Sequence, residues 1–252
     1  MEAFMDVFGK DYALLYDALY EDQDFDADLE DILSSVNDYG QPTISKKYLI
    51  DVGCGTGNHL TKLVPHFNLT GVDLSESMLD ICKRKVPNVP LYQGNARDFT
   101  TDRKFDVAIM MSAVLGYQHA NSDVKTTINN IKKHLNPQGL FIFDVWHGNT
   151  VLKESPSVRV KDISVNGISI LRSVKPTLLE DINICKCEYT WFSYESGKFT
   201  KHMESHQIRY FFAQELEYYL SEAGFKICDV RVPRRLKDQT PPWHKLYVAK
   251  LI

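Results

Sequence analysis

Short apolar runs alternate with amphipathic segments along most of the chain. Five runs are typical of strands: "KYLIDV", "NLTGVDL", "VPLYQG", "KFDVAIMMS" and "LFIFDVW". Between them lie three segments with helical spacing, "NHLTKLVPHF", "SESMLDICKRKV" and "SDVKTTINNIKKHL", and "NPQG" is expected to be a turn. Ahead of the first strand, the pattern predicts helix from about Lys10 to Val36. This alternation predicts a parallel sheet covered on both faces.

The pattern changes between residues 150 and 210. The Asn166-Gly167 pair separates two strand-like runs and predicts a hairpin, and a second hairpin is predicted around Gly197. A helix that ends near Gly224 and two closing strands, "KICDVRV" and "HKLYVAKLI", then resume the α/β pattern.

These elements predict a Rossmann-like, doubly wound α/β fold. The sheet has seven strands, and an antiparallel β insertion follows the fifth strand. We divide the chain into N-terminal helices with the nucleotide-binding core (1–150), the insertion as a substrate cap (151–210), and a C-terminal helix and strands that complete the sheet (211–252).

Composition narrows the classes of protein. The 252 residues are 44% hydrophobic with a formal net charge of -4, so the basic surface that nucleic-acid binding needs is not expected. Neither a membrane span nor a signal peptide is expected from the apolar runs and the acidic start. The five cysteines form no C-x-x-C pair, which favours free thiols, a cytoplasmic location and no metal site. The acidic stretch "YEDQDFDADLEDI" is expected to be a solvated helix face.

The stretch "LIDVGCGTGNHL" resembles a strand that runs into a nucleotide-binding turn. Gly53, Gly55 and Gly57 alternate, which lets backbone N–H groups and a helix N-terminus approach a ligand. A dinucleotide fingerprint needs glycine at position 58, where this chain has Asn58, and a phosphate-binding P-loop needs a G-K-[ST] ending that is missing here.

Two further polar groups follow the next strands. Asp73 ends "GVDLS", where a carboxylate can accept both hydroxyls of a ribose; capping of the following helix is the alternative. Asn95, Ala96 and Arg97 follow the third strand, where amides can bind an adenine edge.

On "DVGCGTG", "GVDLSESML", "GNARDF", "FDVAIMM" and "LNPQGLFIFD", the chain resembles the class I S-adenosylmethionine-dependent methyltransferases. The resemblance implies S-adenosylmethionine (SAM) as cofactor. The glycine turn then contacts the methionine portion, Asp73 the ribose and residues 94–98 the adenine, although the family commonly has Asp where Asn95 stands. The implied cofactor-binding residues are Asp51, Gly53, Cys54, Gly55, Gly57, Asp73, Leu74, Met78, Asn95, Ala96, Arg97, Met111 and Ser112.

A narrower resemblance extends over almost the whole chain. "YALLYDALYEDQDF", "SAVLGY", "DVWHGNTV" and "ESHQIRYFFAQELEYYLSEAGF" are similar to segments of the amino-sugar N-methyltransferases, which act on nucleotide-linked deoxyamino sugars. This resemblance implies a small-molecule acceptor and an insertion that helps to form its pocket. A homodimer is left open, because the insertion suits an interface as well as a pocket.

Several side chains are candidates for handling the acceptor. An amine acceptor needs only to lose its proton, whereas a hydroxyl acceptor needs a stronger base. The candidates are Tyr16, Tyr20, Tyr117, His119 and His147. Core packing is the alternative for Tyr16 and Tyr20, and capping for His147; Trp146, His206 and Arg209 are further candidates for substrate contact.

The same residues leave two alternative functions open and disfavour two others. Methylation of another small metabolite at oxygen, and a non-catalytic SAM-binding subunit, are the alternatives to an N-methyltransferase. The run "MMSAVLGYQH" lacks the proline motif of DNA amino-methyltransferases, and Asn58 disfavours an NAD enzyme.

Overall fold

The computed structural model describes residues 3–4, 8–165, 168–195 and 197–252. The helices are α1 (Lys10–Leu19), α2 (Phe25–Tyr39), α3 (Asn58–Leu63), α4 (Glu76–Lys85), α5 (Asn121–His134), α6 (Gly148–Lys153) and α7 (Ala213–Glu222). The strands are β1 (Ala3–Phe4), β2 (Tyr48–Val52), β3 (Asn68–Asp73), β4 (Leu91–Gln93), β5 (Phe105–Met110), β6 (Leu135–Trp146), β7 (Arg159–Val165), β8 (Ile168–Leu179), β9 (Ile184–Glu195), β10 (Lys198–Arg209), β11 (Phe225–Arg231) and β12 (His244–Leu251).

The strands form two sheets. A seven-stranded sheet has the order β11-β12-β6-β5-β2-β3-β4, with β12 antiparallel to both of its neighbours and the other pairs parallel. A five-stranded sheet, the cap sheet, has the order β1-β10-β9-β8-β7 and is antiparallel except for the short β1. The seven-stranded fold and the antiparallel insertion after its fifth strand, β6, are confirmed.

Both faces of the seven-stranded sheet are buried, which explains its nearly continuous apolar strands. Along β6, Phe141 and Phe143 pack with α5 and α7, whereas the alternating Leu140 and Ile142 pack with α2, α3 and α4. The same alternation of side chains, with a period of two residues, runs through β2, β5 and β12.

A third apolar cluster joins α1 to the cap sheet. Tyr12 and Leu19 of α1 pack with Met78 of α4 and with Ile170 and Trp191 of the cap sheet. Helix α1 therefore lies between α4, which joins β3 to β4 of the large sheet, and the cap sheet.

The continuous helix expected from Lys10 to Val36 is wrong in one respect. Helix α1 ends at Leu19 and α2 begins at Phe25. Asp24 caps α2 by accepting a hydrogen bond of 2.9 Å from the Ala27 amide. The break turns the residues between the helices toward the central cavity.

The three turns predicted from the sequence have three different outcomes. The "NPQG" segment lies within β6, where the pairing with β5 skips from Leu135 to Leu140 and Gln138 has φ of 65°. This irregularity replaces the expected turn. Asn166-Gly167 lies outside the described residues, although β7 and β8 on either side pair antiparallel. The second hairpin is confirmed, since β9 and β10 pair across Gly197.

Among the helices that the structure describes, none has the length and apolar character needed to cross a membrane. The boundaries of the three proposed segments stay a prediction.

Gly57 provides a test of packing beside the glycine turn. Its φ is +83°, and a Cβ there would lie 2.6 Å from Sγ of the buried Cys82. Gly197 has φ of +81° but no atom within 4 Å of such a Cβ. We expect Gly197→Ala to cost about 1–2 kcal/mol for the left-handed conformation and Gly57→Ala to cost about 1–3 kcal/mol more. Urea denaturation of both variants measures this difference, and equal losses would contradict it.

Candidate active site

A cavity of about 880 Å³ opens at the carboxyl ends of the parallel strands. Its floor comes from the segments that follow β2, β3, β4 and β5, and its roof from the cap sheet and the N-terminal helices. Carboxyl ends of parallel strands are the usual ligand side of such sheets. The volume is near the upper end of the range for ligand pockets, about 300–1,000 Å³.

The glycine turn after β2 is held open toward this cavity. The amides of Gly53 and Cys54 both donate to the Val72 carbonyl of the neighbouring strand, at 2.7 and 3.0 Å. Gly55 has φ of +53°, and a Cβ there would meet no atom within 4 Å. The backbone of Gly55 therefore presents free space to a ligand.

Asp73 fastens this turn from the end of β3. Its Oδ2 accepts from the Gly55 amide and its Oδ1 from the Ser75 amide, both at 2.8 Å. The side chain of Ser75, and not that of Asp73, caps α4 by accepting from the Met78 amide at 3.2 Å. Burial raises the pKa of Asp73 despite these backbone donors. The carboxylate lines the cavity with lone pairs left for a ligand.

Most of the predicted cofactor-binding residues meet in this cavity. Those that line it are Gly53, Cys54, Gly55, Asp73, Leu74, Met78, Asn95, Ala96, Arg97, Met111 and Ser112. Asp51 and Gly57 do not. Asp51 is fully buried beneath the turn, and burial raises its pKa to about 6, with the Asp73 charge adding to the effect.

Asn95 does not present its carbonyl oxygen freely. Its Oδ1 accepts from the backbone amide of Arg97 at 3.0 Å and from Arg97 Nε at 3.2 Å. Arg97 in turn pairs with Asp123 at 3.1 Å. A contact between this oxygen and an adenine amino group stays a prediction.

The turn after β5 is strained and held by two hydrogen bonds. Ser112 and Ala113 both have positive φ, 61° and 59°, which costs about 1–3 kcal/mol each for residues other than glycine. The Ala113 amide donates to Asp144 Oδ1 at 3.2 Å, and Ser112 Oγ lies 3.3 Å from Gln23 Nε2. Gln23 belongs to the break between α1 and α2, so the N-terminal helices and β6 together position this wall.

Beside this turn lies a largely buried cluster of charges that the sequence did not predict, and its members Arg235, His59 and His244 also line the cavity. Arg235 bridges two carboxylates without exposed surface: it is hydrogen-bonded to Asp28 of α2 and donates to Asp144 of β6 at 2.8 Å. His59 lies 3.1 Å from Asp28, and His244 lies 2.6 Å from Asp144. Asp28 and Asp31 belong to the acidic stretch expected to be a solvated helix face, and that expectation is wrong for both, since each is completely buried. Nothing local in the sequence points to Arg235, because 207 positions separate it from Asp28.

The other end of the cavity is lined by tyrosines. Tyr12, Tyr16 and Tyr20 come from α1 and its end, Tyr117 from the turn after β5, and Tyr189 from the cap sheet. Burial raises the pKa of Tyr12, Tyr16, Tyr117 and Tyr189, which therefore stay neutral phenols at physiological pH.

The four remaining candidates, His119, His147, Tyr16 and Tyr20, have different surroundings. His119 lines the cavity with Nε2 2.8 Å from the Gln207 carbonyl. His147 stands at the start of α6 outside the cavity lining, 3.4 Å from Thr150 Oγ1. Burial lowers the pKa of His147, with Lys245 contributing. Tyr16 and Tyr20 do reach the cavity, although their rings also pack together at 4.6 Å.

The three further candidates for substrate contact differ in whether they reach the cavity. His206 and Trp146 line the cavity. Arg209 turns away and donates to the His119 carbonyl, to Asn121 and to Glu215, so its role is to brace the turn beneath Tyr117. Arg172 of β8, which the sequence analysis missed, lines the cavity over the Tyr189 ring at 3.7 Å.

Comparisons with known proteins agree with this geometry. A model of the methyltransferase domain family matches residues 49–139, which span β2 to the first part of β6. An N,N-dimethyltransferase of dTDP-3-amino-3,4,6-trideoxy-alpha-D-glucopyranose from Streptomyces venezuelae is 28% identical over 225 residues, or 88% of this chain and 92% of the relative. The chain is a class I SAM-dependent methyltransferase.

Solved structures place the cap within the same overall fold. The crystal structure of DesVI from Streptomyces venezuelae has a TM-score of 0.80 and 25% identity, and the match covers 98% of this methyltransferase and all of DesVI. The sugar N-methyltransferase KedS8 from Streptoalloteichus has a TM-score of 0.85 over 100% of this chain and 96% of its own, at 22% identity. The predicted family and its cofactor, SAM, are confirmed.

Removing the guanidinium between the two buried carboxylates tests the charge cluster. In Arg235→Met, Asp28 and Asp144 stay buried without their counter-ion, and we expect the free energy of unfolding at pH 7 to fall by about 3–5 kcal/mol. Arg234 is the control: its side chain is 49% exposed, and its buried partner Asp31 keeps a second counter-ion, Arg231, at 3.1 Å, so Arg234→Met should cost less than about 1 kcal/mol. Urea denaturation measures both losses.

The pH dependence of this loss has a defined sign. Burial opposes ionisation of Asp144, but the charge of Arg235 and the hydrogen bond from His244 outweigh it and hold its pKa well below the usual range. A carboxylate of lowered pKa stabilises the fold above the unfolded pKa, about 3.9, and loses this effect only as pH falls further. Without Arg235, burial raises the pKa, and acid should stabilise the variant relative to wild type. The difference in free energy of unfolding between wild type and Arg235→Met should therefore narrow from pH 7 to pH 5. A difference that stays constant would contradict the pairing of Asp144 with Arg235.

Proposed function

We propose that this methyltransferase methylates the amino group of a sugar carried on a nucleotide. The observation that carries the proposal is the tyrosine-lined end of the cavity, opposite the glycine turn and beneath the cap sheet. The relatives that the chain resembles include N,N-dimethyltransferases of dTDP-linked amino sugars.

The tyrosines suit an amine better than a hydroxyl. Methylation at oxygen needs a base strong enough to take a hydroxyl proton, and phenols whose pKa is raised by burial are held neutral. The faces of aromatic rings attract ammonium and methylammonium groups. These properties support an N-methyltransferase over the alternative O-methyltransferase, and an intact glycine turn supports an enzyme over a non-catalytic subunit.

The floor of the cavity fits SAM. We propose that the Gly53–Gly55 backbone contacts the methionine portion, that Asp73 accepts from the ribose hydroxyls, and that residues 94–97 enclose the adenine. When bound, SAM supplies a methyl group already activated on a sulfonium, so the protein mainly orients the acceptor and excludes water. Met111 and Ser112, on the strained turn after β5, then lie between cofactor and acceptor.

The remaining expectations stay predictions. These are the absence of nucleic-acid partners, the homodimer, the cytoplasmic location, and the roles of Tyr16, Tyr20, His119 and His147.

The ribose assignment is tested by Asp73→Asn. This change removes the carboxylate that holds the Gly55 amide and the proposed ribose hydroxyls, and hydrogen bonds to charged groups contribute about 1.5–3 kcal/mol. We expect the SAM Kd from calorimetry to rise about 10- to 100-fold. Glu76→Gln, an exposed acid in the first turn of α4, is the control and should leave the Kd unchanged. A similar Kd in both variants would rule out the ribose contact.

The acceptor is tested by mass spectrometry after incubation with SAM. One panel holds nucleotide-linked amino sugars and the other their hydroxyl counterparts. We expect one or two methyl groups to be gained on the amines alone. Methylation of the hydroxyl panel alone, or SAM binding without product from either panel, would contradict the proposal.

A further inference from the structure

Behind Tyr117, a buried polar chain runs from the cavity into the cap sheet. Tyr117 Oη lies 2.9 Å from His206 Nδ1. On the far side of the imidazole, His206 Nε2 lies 3.6 Å from Glu204 Oε1, and the same oxygen accepts from Arg172 at 3.1 Å. Glu204 and His206 are two residues apart on β10, so their side chains share the face of the strand that points to the cavity.

The residues of this polar network do not satisfy all of one another's hydrogen bonds. Among the described residues, four buried polar atoms of one cluster lack a hydrogen-bond partner: Arg172 Nε, Trp191 Nε1, Glu204 Oε2 and His206 Nε2. Native structures leave few buried polar atoms unpaired, and a catalytic role is one explanation for such atoms. Glu204 is completely buried, and Arg172 pairs with its Oε1 while its Oε2 has no partner, so the carboxylate is only half satisfied.

The imidazole is also held in one orientation. Its ring meets Phe8 at 5.2 Å and Tyr189 at 5.4 Å, both edge-to-face, and lies 5.8 Å from Tyr12. The titratable groups that face it among the described residues are Tyr12, Tyr117, Tyr189, Glu204 and its cross-strand neighbour Cys187. Arg172 lies on the other side of Glu204, 3.1 Å from Oε1. Glu204 beside Nε2 favours the tautomer with its hydrogen on Nε2, which leaves Nδ1 as an acceptor for the Tyr117 hydroxyl.

We propose that His206, backed by Glu204, accepts through Tyr117 the proton that the acceptor ammonium loses before methyl transfer. This inference rests on the proposed function. The ammonium gives a proton to Tyr117 Oη as the phenol gives its own to His206 Nδ1. The nitrogen keeps its electron pair, which forms the new C–N bond, while the pair of the broken C–S bond stays on sulfur. Glu204 stabilises the imidazolium, which gives the proton to solvent through Tyr117 once the product has left the cavity.

The relay explains how neutral phenols serve an amine acceptor. Because burial raises the pKa of Tyr117, the phenol does not act as a free phenolate base. It passes on one proton for each one it accepts, so the positive charge comes to lie on the imidazole beside a carboxylate. A second methylation on the same nitrogen uses the same path.

The test compares turnover with SAM affinity in four variants. We expect kcat on the amine to fall about 100-fold or more in Tyr117→Phe and His206→Gln, and about tenfold in Glu204→Gln, where the imidazolium loses its counter-charge. The SAM Kd, measured on the same samples, should stay within about threefold of wild type, which also shows that each variant is folded. His202→Ala removes a histidine on the same strand outside the cavity lining and should leave kcat unchanged.

Two further readouts separate a proton relay from structural support. The double variant Tyr117→Phe/His206→Gln should be no slower than the worse single variant, because both belong to one chain. Added imidazole should restore part of the rate of His206→Ala and none of the rate of Tyr117→Phe. Additive losses, absence of rescue, or a parallel loss of SAM affinity would overturn the relay. A wild-type protein that binds SAM but methylates no amine overturns the proposed function and the relay together. Amine methylation at the wild-type rate in His206→Gln overturns the relay alone.

Discussion

The burial of two carboxylates around one guanidinium is the interaction on which the site depends. Arg235, which precedes β12, joins Asp28 of α2 to Asp144 at the end of β6, and Asp144 also binds the Ala113 amide. A buried ion pair of this kind adds little net stability, but losing one member leaves a costly uncompensated charge. The cluster therefore forces three segments distant in sequence into one arrangement. The strained turn after β5 is part of that arrangement.

The two sheets contribute different chemical groups to the cavity. Backbone amides and Asp73 at the carboxyl edge of the large sheet present polar groups suited to a nucleoside and an amino acid. The cap sheet and α1 contribute aromatic faces, Arg172 and the His206–Glu204 pair. Because the methyl donor is already activated, we propose that the residues of the cap orient the acceptor and manage its proton. The turn that carries Tyr117 lies where the two contributions meet.

Local sequence patterns predicted much of this architecture. The alternating strands and helices, the glycine turn and Asp73 were predictable, because each depends on residues close together in the chain. The break between α1 and α2 was missed, because residues 20–24, "YEDQD", contain no glycine or proline that would mark the end of a helix. The "NPQG" segment was expected to be a turn, yet pairing with β5 extends β6 through it with an irregular register.

The sequence by itself determined the fold class, the methyltransferase family and most residues at the floor of the cavity, since these follow from motifs of fixed spacing. Only the tertiary structure decided which polar residues face the cavity. Asp28 appeared to belong to a solvated face and is buried against Arg235; His206 and Arg209 were equal candidates, yet one meets Tyr117 and the other braces the turn. Partners separated by 88 to 207 positions leave no local pattern, because their pairing depends on how helices and sheets pack together.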